Sequence, residues 1–157
     1  MIKVEITEDM IAAASDKSIE MGKLNNSILN GAGSNAGFLG EQIALKVLGG
    51  QWHNTYDYDI VVGDKRIDVK TKQTTVAPLP HYECSIAAFN IKQKCDAYAF
   101  VRVLKDLSVG WFLGVYKKDA YFTDATFMKK GEVDPSNNFT VRADCYNLRI
   151  DKLGDDI

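Results

Sequence analysis

The sequence predicts an α/β fold, a central mixed β-sheet flanked by helices. Two stretches near the N-terminus carry helical spacing, a pair of β-rich runs meets at a tight turn, and two further apolar runs have strand length. With 157 residues, 46% hydrophobic and 25% charged, the chain has enough apolar surface for one core, and only 3 prolines interrupt it. A single domain over residues 1–157 is expected, and a disordered or fibrous chain is excluded.

Ile2, Val4 and Ile6 alternate with polar residues and predict an edge strand. Thr7 then caps a helix running to about Leu24, with Glu8 and Asp9 in its first turn. Asn25 to Asn35 is a polar breaker, expected as a mobile loop. A second helix follows over Ala36–Leu48 and is stopped by Gly49-Gly50. Tyr56–Val62 and Lys65–Lys72 form a hairpin around Gly63-Asp64. Beyond the Pro-containing connection Thr74–Pro80 come an apolar stretch, Tyr82–Phe89, and a polar segment, Asn90–Lys94, with room for one or two helical turns. Ala97–Leu104 and Val109–Tyr116 are buried strands, Lys118–Lys130 has helical spacing, and Phe139–Arg142 and Tyr146–Ile150 are short strands.

No apolar run reaches the roughly 18 to 20 residues that cross a bilayer, and the N-terminus lacks the apolar stretch of a signal peptide. Cys84, Cys95 and Cys145 are odd in number and form no CxxC pair, which suits reduced thiols. A cytoplasmic protein without membrane contact is expected. Net charge is −2, yet residues 65–102 hold 7 Lys and Arg against 3 Asp and Glu, while residues 1–64 hold 4 against 9. A locally positive stretch in an acidic chain is compatible with a polyanion site and equally with a solvated surface.

In the hairpin, a two-residue turn sets Val62 opposite Lys65 and Asp59 opposite Asp68. Alternation sends Asp57, Asp59 and Val61 to one face with Arg66, Asp68, Lys70 and Lys72, and Tyr58, Ile60, Ile67 and Val69 to the other. Directly opposed side chains lie about 4.5–5.5 Å apart at Cβ, where two carboxylates repel unless a cation sits between them. A hard divalent ion meets that need. The alternative is a solvated face on which Asp57 and Lys70 form a cross-strand ion pair. On the second helix, Glu41 falls between Leu45 and Leu48 in the apolar arc, where a carboxylate is costly unless paired or metal-bound.

Glu41, Asp59 and Asp68-Val69-Lys70, in that order, resemble the PD-(D/E)xK nuclease superfamily, whose sites combine a helix Glu, a strand Asp and an acid-x-Lys on the next strand. The resemblance covers about Gly37 to Lys72, with Tyr58 where the pattern has Pro. Glu41 stands only 18 residues before Asp59, so the first core strand must be short.

The resemblance implies a restriction-endonuclease-like α-β-β-β-α-β core and a deoxyribonuclease dependent on Mg²⁺ or Mn²⁺. It implies Glu41, Asp59 and Asp68 as metal ligands and Lys70 beside the attacking water. Arg66 and Lys72 are candidate phosphate contacts or solvated strand-end charges, and Lys92, with Asn90, Gln93 and Lys94, falls where the family places a helix close to DNA, or else in a plain solvated turn. Asp57 is either a further ligand or a partner of Lys70. DNA, branched or otherwise structured, is the expected partner, and a homodimer acting in repair or recombination the expected assembly. The alternatives are a noncatalytic DNA-binding or assembly module that keeps this fold, and a carboxylate-pair hydrolase such as a glycosidase. His53 and His81 have no companions at ligand spacing, and Trp52 and Trp111 read as core or hairpin aromatics.

Overall fold

A computed structural model describes residues 1–25, 32–155 and 157. The elements are β1 (Ile2–Glu5), α1 (Glu8–Asn25), α2 (Ala32–Leu48), β2 (Gln51–Trp52), β3 (Ile60–Val62), β4 (Lys65–Thr74), β5 (Glu83–Ala87), β6 (Ala97–Leu104), β7 (Val109–Lys117), α3 (Lys118–Asp124), β8 (Thr126–Met128) and β9 (Cys145–Arg149), with 3₁₀ turns at Ala88–Lys92 and Ile150–Lys152.

The six-stranded sheet runs β1-β7-β6-β4-β3-β2. It is mixed: β4 and β6 are parallel, and every other neighbouring pair is antiparallel. A second sheet of three strands, β5-β9-β8, packs beside it. Period-two alternation divides the large sheet between two cores. Ile67 and Val69 of β4 and Ala99, Val101 and Val103 of β6 join Phe38, Leu39, Ile43 and Ala44 of α2. Tyr98 and Phe100, on the opposite face of β6, join Tyr121 of α3 and Cys84, Ile86 and Leu148 of the small sheet. The hairpin face expected to be ionic is therefore half covered by a second core, and Asp68 on it is only 5% exposed.

The capping expectation at α1 holds, since Met10 N donates to Thr7 Oγ1 at 3.2 Å. Of the breaker expected over Asn25–Asn35, residues 26–31 lie outside the described residues, and α2 begins at Ala32 rather than Ala36. The hairpin pairs Ile60 with Ile67, Val61 with Arg66 and Val62 with Lys65, the register a two-residue turn dictates. Gly63 permits it with φ +61°.

The run over Tyr56–Val62 is a strand only at Ile60–Val62. Thr55 Oγ1 accepts from Tyr58 N at 3.0 Å and donates to Tyr58 O at 2.8 Å, closing a local turn that competes with the ladder. Tyr58 accordingly packs with the second core rather than with Ile60. The helix over Lys118–Lys130 stops at Asp124, because Ala125 is extended and Thr126–Met128 pairs with β9. Phe139–Arg142 makes a single bridge, Thr140 to Val133, instead of a strand. Between α2 and β3 stands a strand of only two residues, β2. Between β4 and β6 stands a five-residue 3₁₀ turn, not an α-helix. All three cysteines are free. Among the described residues no helix is long and apolar enough to cross a membrane.

Candidate active site

The position of Glu41 follows from its neighbour. A Cβ on Gly40 would collide with the Thr71 side chain, so the helix backbone lies against β4 more closely than any other residue allows. Phe38, Leu39, Ile43 and Ala44 bury the same helix face. Glu41 is held at the sheet with 6% exposure, and Trp52 Nε1 donates to its Oε2. Burial pushes its pKa up to about 7 against the pull of Trp52, Asn54 and Asp59, and the Asp68 charge adds to the rise.

Asp59 departs from the expected geometry. The ladder ends at Ile60–Ile67, and Asp59 does not face Asp68 as a paired residue. Its backbone N still donates to Ile67 O at 2.9 Å, but its carboxylate turns into the sheet plane and accepts from Val69 N at 2.7 Å, filling a ladder position left by the short strand. That places it between Glu41 on the helix side and Asp68 on the other. Burial first, then the charges of Glu41 and Asp68, raise its pKa to about 9, opposed by the Val69 N–H and by Lys70.

Asp68 and Lys70 project from the same face of β4. Lys70 Nζ lies 2.7 Å from Asp68 Oδ2, and Gln93 Nε2 donates to Asp68 Oδ1 at 2.9 Å. Burial raises the Asp68 pKa, and the neighbouring Lys70 limits the rise. Gln93 ties three segments together: besides Asp68, its Nε2 reaches Tyr56 O at 3.1 Å and its Oε1 accepts from Lys70 Nζ at 3.3 Å. It is 5% exposed, not the solvated-turn residue its polar neighbours Asn90, Lys92 and Lys94 suggest. The structure also assigns contacts to Trp52 and Asn54 that composition does not reveal. No local pattern around Gln93 in the sequence marks it as a site residue.

Asp57 does not pair with Lys70. Its Oδ1 accepts from Lys94 N at 3.0 Å, capping the turn beyond Gln93. Arg66 is exposed and drawn to Asp96, whose Oδ2 lies 3.4 Å from Arg66 Nε. Lys72 is exposed farther along β4, and Lys92 is exposed on the 3₁₀ turn that precedes Gln93.

Glu41, Asp59, Asp68 and Lys70 thus converge from a helix, a strand end and a central strand, with Gln93 closing the group. The carboxyl groups of buried Glu41 and Asp68 and half-buried Asp59 are hard oxygen donors suited to a divalent cation such as Mg²⁺. Asp68 Oδ2, buried, has the Lys70 ammonium beside it but no aligned hydrogen bond. Among the described residues, no three His, Cys, Asp or Glu side chains are arranged to hold a metal ion as they stand. The donor set fits such an ion in chemistry, and its present arrangement is knit by Trp52, Val69, Lys70 and Gln93. No protein-family model matches the chain, and no curated protein shows significant similarity to it.

Proposed function

We propose that the protein is a Mg²⁺- or Mn²⁺-dependent deoxyribonuclease built on a PD-(D/E)xK-type core, hydrolysing phosphodiester bonds in structured DNA as a homodimer. The observation that carries this reading is that the carboxyl groups of Glu41, Asp59 and Asp68 lie near enough to act on one another's ionisation, with Lys70 Nζ 2.7 Å from Asp68 Oδ2. Burial and mutual repulsion leave Glu41 and Asp59 holding protons near neutral pH, so a cation that replaces those protons gains both charge neutralisation and hard ligands.

Asp59 and Asp68 would hold the ion, with Glu41 completing the shell directly or through water. The bound ion supplies Lewis-acid stabilisation of charge on the phosphoryl group and on the departing oxygen. Lys70, freed from Asp68, donates to a phosphate oxygen and orients the attacking water. Gln93 keeps both Asp68 and Lys70 from swinging away. Arg66 and Lys72 lie on the same strand and serve neighbouring phosphates. This order of roles agrees with the helix-Glu, strand-Asp, acid-x-Lys succession along the chain.

The test is a panel of linear, circular, single-stranded, flapped and four-way DNA with Mg²⁺ or Mn²⁺. Nicking or degradation of at least one substrate is expected, with loss on EDTA and in Asp68→Ala and Lys70→Ala variants whose circular dichroism is native. Activity that persists through all three treatments moves the chemistry elsewhere. The engagement of Asp68 by Lys70 and Gln93 favours one second reading, a noncatalytic DNA-binding or assembly module. DNA binding without metal-dependent cleavage selects it.

A further inference from the structure

A groove leads away from Lys70 that the four site residues do not need. Its near part is lined by Lys70, Lys72, Ser85 and Arg102. Through Lys72, Glu83 and Ser85 it continues into a wider section of about 490 Å³, walled by Phe139, Arg142 and Asn147. One wall is the central pair β4 and β6. The other is β5 and β9 with the loop before β9, the part of the chain that builds the small sheet.

The cations of this groove are placed against their own interest. Lys72 and Arg102 are register partners on β4 and β6, so two positive side chains stand side by side on one sheet face. Burial and then Arg102 hold the Lys72 pKa below the ordinary lysine value. Arg102, only 7% exposed, gives one N–H to Glu83 O at 3.0 Å and stacks over Tyr82. Arg142 lies over the Phe139 ring at 5.7 Å, and that ring is 50% exposed. Among the described residues, none of Lys72, Arg102 and Arg142 has a carboxylate ion-pair partner.

The two acids of the groove serve each other and the loop. Asp134 Oδ1 accepts from Ser136 N at 2.9 Å and from Ser136 Oγ at 2.7 Å. Burial and the Asp134 contact raise the Glu83 pKa, while Ser136 lowers that of Asp134. What the groove lacks is an anion between Lys72 and Arg102 and a flat partner for Phe139. Its volume falls in the range of nucleotide-sized ligands, roughly 300–1,000 Å³, and is too small for a duplex.

We propose that the groove between the two sheets is a track for one nucleic-acid strand, with a backbone phosphate seated between Lys72 and Arg102 and a base stacked on Phe139 beneath Arg142. The identity of the polymer rests on the nuclease reading. The track also makes that reading more specific: one strand is drawn past Lys70 toward the small sheet, which selects DNA with an unpaired arm.

The experiment is fluorescence-anisotropy titration of the full chain with labelled oligo(dT) and with a blunt duplex of equal length. It is carried out in EDTA, so that cleavage plays no part. Exposed residues carry the test: Lys72→Glu, Arg142→Glu and Phe139→Ala. Oligo(dT) is expected to bind more tightly than the duplex. Each charge reversal should weaken it about tenfold or more and flatten its salt dependence, and Phe139→Ala should weaken it roughly tenfold. Lys46→Glu, an exposed residue of α2 outside the groove, should leave oligo(dT) affinity within about twofold. Loss of binding in the groove variants supports the track even when no DNA is cut, which separates it from the nuclease reading. Unchanged oligo(dT) affinity in all three variants, or equal and equally affected duplex binding, overturns the track even when cleavage is robust.

Discussion

Lys70 Nζ stands 2.7 Å from Asp68 Oδ2, its neighbour two residues back on the same strand, and the carboxylate it pairs with is nearly excluded from solvent. A buried ion pair contributes little relative to an apolar pair, but removal of one member leaves a charge stranded. Lys70→Ala should therefore cost about 1–3 kcal/mol in urea unfolding at pH 8, where Asp68 must otherwise ionise unpaired, and less as the pH is lowered and Asp68 takes up a proton. Under the proposed function the same variant loses cleavage by roughly a hundredfold or more.

Glu41 and Asp59 make the site itself sensitive to pH. Both folded-state pKa values are raised, to about 7 and about 9, above ordinary values of 4.5 and 3.8. The folded protein then binds protons that the unfolded chain releases, so the stabilising contribution is complete below about pH 4 and is lost as pH rises through 7 and toward 9. Thermal unfolding without divalent cations should show the midpoint falling across that window, as stability drops by an amount on the order of a few kcal/mol by pH 9. Glu41→Gln and Asp59→Asn should flatten the slope, and Mg²⁺ should restore stability most at the alkaline end. A wild-type slope unchanged by both substitutions contradicts the assignment.

Gly40 separates helix propensity from packing. In an exposed helix Gly→Ala gains about 1 kcal/mol. Here the new methyl meets Thr71, and Gly40→Ala should instead destabilise by about 1–3 kcal/mol through overpacking. Thr71 Oγ1 is buried without a hydrogen-bond partner, so Thr71→Ala alone should be tolerated. The double variant should recover part of the loss, and a purely additive double-mutant cycle argues against the contact.

Trp52 reports on the site because its indole N–H donates to Glu41. With Trp111→Phe, Trp52 becomes the sole tryptophan of the 2 in the chain. Titration with Mg²⁺ or Mn²⁺ should change its emission, EDTA should reverse the change, and Glu41→Gln should abolish it. A flat titration at millimolar metal speaks against a cation held at Glu41.

Gln93→Leu removes the link among Asp68, Lys70 and Tyr56. Asp68 Oδ1 then loses its amide donor in a buried setting, at a cost of about 1–3 kcal/mol. Gln93→Glu should be worse at pH 8 than at pH 5, because it adds a carboxylate beside Asp68. Equal losses at both pH values would point to packing alone.

Local rules in the chain determined the elements nearest the site. A two-residue turn at Gly63-Asp64 and alternation along both strands set the Ile60–Ile67 register, because neither depends on distant residues. The same alternation put Asp68 and Lys70 on one face, and helical periodicity put Glu41 on the buried side of α2. Tertiary structure decided how those groups meet. Thr55 pulled residues 55–58 out of the strand, so the Asp59 carboxylate entered the sheet plane and took up Val69 N. The small sheet, formed by segments some sixty residues apart, β5 and β9, covered part of the face that looked solvated, and Gln93 closed over Asp68. Gln93 acquired its role only once Tyr56, Asp68 and Lys70 surrounded it. Spacing along a chain encodes which face a residue takes; what covers that face depends on pairings between segments far apart in sequence, and no local pattern specifies them.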